Sequence, residues 1–284
     1  MRRILRMVWV LALTLPAMAA AQDVARDTPR LGNVEPTGLA RLDTFDDAAG
    51  WEGVGRIDID GKGFCTGALI APDLVLTAAH CLFDRDTGTR IDAARFQFLA
   101  GLRNGRALAY RDVRRTIAHP EYVLPADGEL TRGAADLALL QLSQPIRGNN
   151  VHPFGVLPDA AIGATVGVVS YAFDRADAPA LQRACQVLGA EQGLYVLGCD
   201  VDFGSSGAPV FHIQDGVAQI VSVVSAKAEF EGERVAIGTV LQAPLALLMQ
   251  EYAAGGPLAR TAPDTVRVLR PGERNDTGAL FIRP

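Results

Sequence analysis

The apolar residues of this chain come in short runs, and Gly, Pro, Asn or Asp cuts each run off within a few residues. A helical protein needs apolar positions recurring every three to four residues over a dozen or more, and such long amphipathic stretches are missing. The pattern points to β structure, and the 29 glycines fit the many tight turns it requires. Strands are expected at 54–59, 64–70, 74–77, 96–99, 107–117 and 137–142. A turn at Ala71-Pro72-Asp73 separates the second from the third. A break near 151–158 follows, then a second series at 165–172, 182–188, 195–199, 208–213, 217–224 and 236–240. Two runs of about six strands predict an all-β fold of two packed antiparallel six-stranded β-barrels. A C-terminal helix is expected over 241–252, where apolar residues do recur at helical spacing before Gly255-Gly256 ends them.

The first residues carry a different signal. Arg2, Arg3 and Arg6 precede an apolar run at 7–15 that is too short to span a bilayer. Ala17-Met18-Ala19 and Ala19-Ala20-Ala21 both offer small residues at cleavage spacing, so 1–21 reads as a secretory signal peptide. The protein is then expected to be secreted or periplasmic. Residues 22–47 read as a pro-segment or N-terminal arm, 48–154 as the first barrel, 155–254 as the second barrel with its helix, and 255–284 as a flexible tail. No later stretch is long and apolar enough to hold a membrane once the signal is removed. The formal net charge of -5, without a basic tract, argues against a nucleic-acid partner. The expected state is a monomer.

Cys65, Cys81, Cys185 and Cys199 make an even number in an exported chain, which favours disulfides. Four cysteines allow three connectivities, and sequence alone does not choose among them. Pairing neighbours is the simplest arrangement. The C-x-x-C spacing of a zinc site is missing, and neither a metal nor a cofactor is expected.

Two motifs carry chemistry. One is Leu76-Thr77-Ala78-Ala79-His80-Cys81 and the other is Gly204-Ser205-Ser206-Gly207-Ala208-Pro209, with an Asp-Leu-Ala-Leu-Leu run opening at Asp136 between them. A serine hydroxyl needs a base within reach, an acid to orient the base, and donors aimed at the developing oxyanion. Ser206, His80 and Asp136 are the residue types for those three parts. Of the other histidines, His119 and His152 each precede a proline and read as turn residues, and His212 ends a strand. Asp112, Asp127 and Asp159 are weaker candidates for the acid, because none opens an apolar strand.

In this order the motifs resemble the trypsin-like (chymotrypsin-fold) serine peptidases. The resemblance implies two barrels with the site in their crevice and a closing helix. It also implies a bridge between Cys81 and Cys65, with Cys185–Cys199 as the remaining pair. His80, Asp136 and Ser206 become general base, orienting acid and nucleophile. The N–H groups of Gly204 and Ser206 become the oxyanion hole. Ser225 matches a serine that lines the primary pocket and contacts the acid. Asp200 lies six residues before Ser206, the place of a pocket-floor acid or else of a structural aspartate. Lys227 follows Ser225 by two residues and either obstructs or recharges the pocket.

The chain departs from the animal enzymes at Ser205, where they carry an aspartate that pairs with a newly cut N-terminus. This shifts the resemblance toward bacterial relatives with some glutamyl-endopeptidase-like features, and implies activation without that ion pair. Val223-Val224 stands where a glutamyl pocket would carry its histidine, which disfavours that specificity. The expected function is a serine endopeptidase acting on proteins or peptides through an acyl-enzyme. The alternatives are a catalytically silent binding protein on the same fold, favoured by Ser205, Ala208 and Lys227, or an esterase with the same triad.

Overall fold

The computed structural model describes residues 38–124, 134–148, 151–230 and 232–255. The expected signal peptide, most of the N-terminal arm, Asp127 and the tail from 256 onward lie outside these residues. After the short strand β1 (Ala40–Arg41), six strands follow: β2 (Val54–Ile59), β3 (Gly63–Ala71), β4 (Leu74–Thr77), β5 (Phe96–Ala100), β6 (Ala109–Ala118) and β7 (Ala138–Leu142). They close into a barrel in the order β2-β3-β4-β7-β6-β5. Alternation explains them. In β5, Phe96, Phe98 and Ala100 point inward between half-buried Gln97 and Leu99. Strand β7 is buried at every position, because the C-terminal helix covers its outer face.

The second half contributes β8 (Gly155–Val156), β9 (Thr165–Ala172), β10 (Arg175–Glu191), β11 (Leu194–Leu197), β12 (Pro209–Gln214), β13 (Val217–Phe230), β14 (Glu233–Val240) and helix α1 (Gln242–Ala254). The strand order β10-β11-β14-β13-β12-β9 returns on itself through a β9–β10 pairing. Two short strands join this ring, and neither was expected. Strand β8 runs parallel to β13, and β1 pairs with β10. The arm is therefore docked where it is described: Leu42 is buried and its N–H donates to Pro179 O (2.9 Å).

Two strands are longer than expected. The strand expected at 182–188 is β10, which begins at Arg175 and runs through Asp177 and Pro179. Register shifts on either side of Ala180–Gln182 absorb the irregularity; Pro179 lies within the first of them, where its missing N–H breaks no ladder bond, and its carbonyl accepts from Leu42 N–H just past β1. Strand β13 continues past a bulge at Ser225.

The barrels share a core. One buried cluster fills the first barrel and the seam, taking Tyr171, Phe211, Ile220 and Leu248 from the second half; a smaller one fills the second barrel. The linker is stitched to both sides, with Phe154 N–H on Leu69 O (2.8 Å) and Leu157 N–H on Ile220 O (2.9 Å). The Phe154 and Trp51 rings pack on Phe211, with centroids 4.7 and 5.0 Å away.

Candidate active site

His80 occupies the 3-10 turn Ala79–Leu82 that follows β4, and the Cys65–Cys81 disulfide ties this turn to β3. Asp136 stands just before β7. Because β7 pairs with β4 so that Ala138 faces Thr77, the register brings Asp136 to the end of β4 where His80 begins. The carboxylate then meets its partners in full. His80 N–H donates to Oδ1 (2.8 Å), His80 Nδ1 bonds to Oδ2 (2.8 Å), and the Ser225 hydroxyl donates to the same Oδ2.

Asp136 is only 3% exposed. Burial alone would raise its pKa. The His80 ring and the three donors outweigh that and hold the carboxyl below its ordinary range. An ionised acceptor at Nδ1 keeps the ring proton there and leaves Nε2 with its lone pair facing away.

Ser206 lies in the loop before β12. Gly204 has φ +97°, and an added Cβ would overlap the Phe64 ring, so glycine is required on both counts. Gly207 packs against Thr66, Thr77 and Ala78, close to His80, and its N–H donates to Val224 O (2.8 Å) beside Ser225. The loop's N–H groups alternate. Those of Ser205 and Gly207 donate to Asp202 O and Val224 O (2.9 and 2.8 Å). Among the described residues no acceptor takes those of Gly204 and Ser206. Two unpaired donors beside a serine are what an oxyanion needs. No hydrogen bond joins the Ser206 hydroxyl to the His80 ring among the described residues. Such bonds commonly tighten only when substrate is bound.

Ser205 is fully buried and its hydroxyl sits 3.2 Å from Ser170 Oγ and 3.3 Å from Tyr171 O. A neutral side chain satisfied in this way calls for no ammonium partner.

The remaining expected residues are placed unevenly. Asp200 is exposed, and only its N–H is engaged, by Gln182 Oε1 (2.7 Å); this is not the environment of a buried pocket-floor acid. Lys227 bridges to Asp202 (2.9 Å) and lies over the Phe203 ring, 3.8 Å from its centroid. The lysine's hydrogen bond, helped by Phe203 N–H, lowers the Asp202 pKa. Cys185 and Cys199 form the second disulfide. Ligand atoms of Cys65, His80 and Cys81 lie within 4.8 Å of one another, but with both sulfurs in a disulfide this donor set does not suit a metal. His119 opens a turn as expected, its carbonyl accepting from Tyr122 N–H (2.9 Å), but its side chain is buried and Nδ1 accepts from Glu121 N–H (3.3 Å). Asp112 and Asp159 are exposed.

Sequence reasoning missed Thr66 and Tyr171, two buried residues that link the barrels beneath Ser206. Nothing about a threonine after a cysteine marks it as special.

Comparison with known proteins places this geometry. Residues 65–218 match the trypsin-like peptidase domain family. The chain is 30% identical over 151 residues to a glutamyl endopeptidase of Bacillus licheniformis, covering 52% of this chain and 45% of that protein. It is 34% identical over 89 residues to a modular serine protease of Drosophila melanogaster, covering 31% and 14%. With a tryptase of Mus musculus it shares 35% over 100 residues, covering 34% and 32%. The match thus spans less than half the length of these relatives. Among solved structures, a Glu endopeptidase in complex with MPD superposes with a TM-score of 0.62 at 19% identity, covering 76% of this chain and 98% of that one. That likeness shows the two-barrel fold.

Proposed function

Because the chain belongs to the trypsin-like peptidase family, we propose that it is a serine endopeptidase whose triad is His80, Asp136 and Ser206. His80 Nε2 takes the hydroxyl proton as Ser206 Oγ attacks a peptide carbonyl. Asp136 stabilises the imidazolium, and the N–H groups of Gly204 and Ser206 receive the oxyanion. The leaving amine takes the proton from His80. Water, activated by the same histidine, then releases the acyl group from Ser206. The observation that carries this reading is the doubly bonded His80–Asp136 pair, set beside a serine loop with two donors free.

Activation without an N-terminal ion pair is part of the proposal, supported by buried, uncharged Ser205. Export is another part, supported by the two disulfides. For substrate preference we take Lys227 as the deciding charge, because it follows Ser225 by two residues and its ammonium lies over Phe203, just before Gly204. A substrate carboxylate able to replace Asp202 on this ammonium is the group we expect it to favour. The named specificity of the glutamyl endopeptidase relative is consistent with that, although Val224 is buried where a histidine would be expected.

Labelling of the mature protein with a fluorophosphonate tests the core of the reading. Modification is expected in the parent and lost in Ser206→Ala and His80→Ala. A folded, disulfide-intact parent that stays unmodified would overturn the reading in favour of a binding protein. Faster turnover of simple esters than of peptide amides would favour the esterase.

A further inference from the structure

We infer that Thr66 is a positioning residue, whose hydroxyl holds the two free N–H groups of the Ser206 loop in place. The inference rests on the peptidase reading above. Thr66 lies in β3 of the first barrel, fully buried, and reaches across the seam. Its N–H donates to Ser206 O (2.8 Å) and its hydroxyl donates to Gly204 O (2.9 Å). The same hydroxyl accepts from Tyr171 N–H (3.1 Å), and the Thr66 carbonyl accepts from the Thr77 hydroxyl (2.8 Å). Thr77 ends β4, three residues before His80.

The planarity of the peptide bond turns these contacts into an aiming device. In a trans peptide the C=O and N–H point in opposite directions, so tying one fixes the other. Four successive peptide planes run from Phe203 to Gly207. The 203–204 plane has its carbonyl held by Phe173 N–H (2.9 Å), which leaves Gly204 N–H free. The 205–206 plane has its carbonyl held by Ala208 N–H (2.9 Å), which leaves Ser206 N–H free. The two planes alternating with them, 204–205 and 206–207, both have their carbonyls held by Thr66, one through its side chain and one through its backbone. Rotation of the 204–205 plane would disturb both free donors, and Gly204 supplies no steric resistance to it. The hydroxyl is the part of this restraint that a substitution can remove. Its donor and acceptor functions are both used, and its β-branched carbon restricts it to few rotamers. The same residue connects the loop to the end of β4, which leads into the turn that carries His80, so donors and base share one frame.

The test compares Thr66→Val, which keeps shape and loses the hydroxyl, with Thr66→Ser, which keeps the hydroxyl. Unfolding temperature and intact disulfides establish that each is folded, and Thr66→Ala replaces the valine variant if that one is not. The readouts are kcat and KM on a peptide, the rate of fluorophosphonate labelling, and the affinity for a peptide boronate that forms a tetrahedral adduct. The expectation for Thr66→Val is a loss of about tenfold or more in kcat and labelling rate, with KM within about twofold. Boronate affinity falls by a similar factor, and Thr66→Ser stays within about twofold of the parent. A folded Thr66→Val with parental kcat, a change in KM alone, or a Thr66→Ser as impaired as the valine variant overturns the inference. A parent that does not label overturns the peptidase reading and this inference together, whereas a labelling parent beside an unaffected Thr66→Val overturns this inference alone.

Discussion

Lys227 and His119 show how much single side chains say about conditions. The Lys227–Asp202 pair has both partners about half exposed, so their mutual attraction is worth at most about 1 kcal/mol and exchanges readily for a substrate carboxylate. Peptides with an acidic residue on the acyl side of the cleaved bond are therefore expected to be favoured over alanine equivalents. Lys227→Ala should cut that preference by up to about fivefold, and Asp202→Asn should leave it intact or raise it; kcat/KM on matched peptides reads both. For His119, burial lowers the pKa of the imidazole, and Glu121 opposes this only in part. The folded state thus prefers the neutral ring, whereas the unfolded chain takes up a proton near its ordinary value of 6.5. Stability from this source is complete above that pH and declines as pH falls through the depressed folded value, by at most about 1.4 kcal/mol per unit. Denaturant unfolding at pH 8 and pH 5 should show a smaller drop for His119→Gln than for the parent. The sequence placed His119 at a turn because a proline follows. The turn is there, but the burial of the ring within it was not readable from the sequence.

Among the elements, helix α1 depends on a residue far away in sequence. Its last carbonyls, Glu251 O and Tyr252 O, accept from the Arg115 guanidinium of β6 (3.1 and 3.3 Å). This cation sits at the negative end of the helix, where it satisfies Tyr252 O and adds to the Gly255 N–H already on Glu251 O (3.3 Å). Gln141 of β7 adds a bond to the Tyr252 hydroxyl (3.0 Å). A Cβ at Gly255 would displace the guanidinium from these carbonyls. Arg115→Met should cost about 1–2 kcal/mol of unfolding free energy, and Gly255→Ala should destabilise in the same direction. Strands with plain alternation or strong turns, such as β2, β4 and β9, were legible to the residue. Strand β10 was not, because Pro179 normally ends a strand and here sits where its missing N–H costs nothing. The parallel β8 was not legible either, because two residues between turn signals carry no period.

For the whole molecule, the two-barrel plan was readable from a break in the strand series, and the motifs pointed to His80, Asp136 and Ser206 before any geometry. The inter-barrel contacts were not readable. They depend on which residues meet across a seam, as Thr66 meets Gly204 and Trp51 meets Phe211, and no spacing along one chain encodes that. Asp200 illustrates the same gap: its offset from Ser206 was informative, but its exposure was set by the path of the surrounding loops.

The crossed ends of the described chain have a consequence for timing. Strand β1 is made before β10, the only strand it pairs with among the described residues, and α1, made after every described strand, packs on β6 and β7 of the first barrel. On the proposed reading, a half-finished polypeptide holds the histidine and the aspartate but has neither the serine nor the outer cover of β7. On that reading a growing chain stays harmless to its surroundings, and to itself, until the Ser206 loop has been made and has docked on Thr66 of the first barrel.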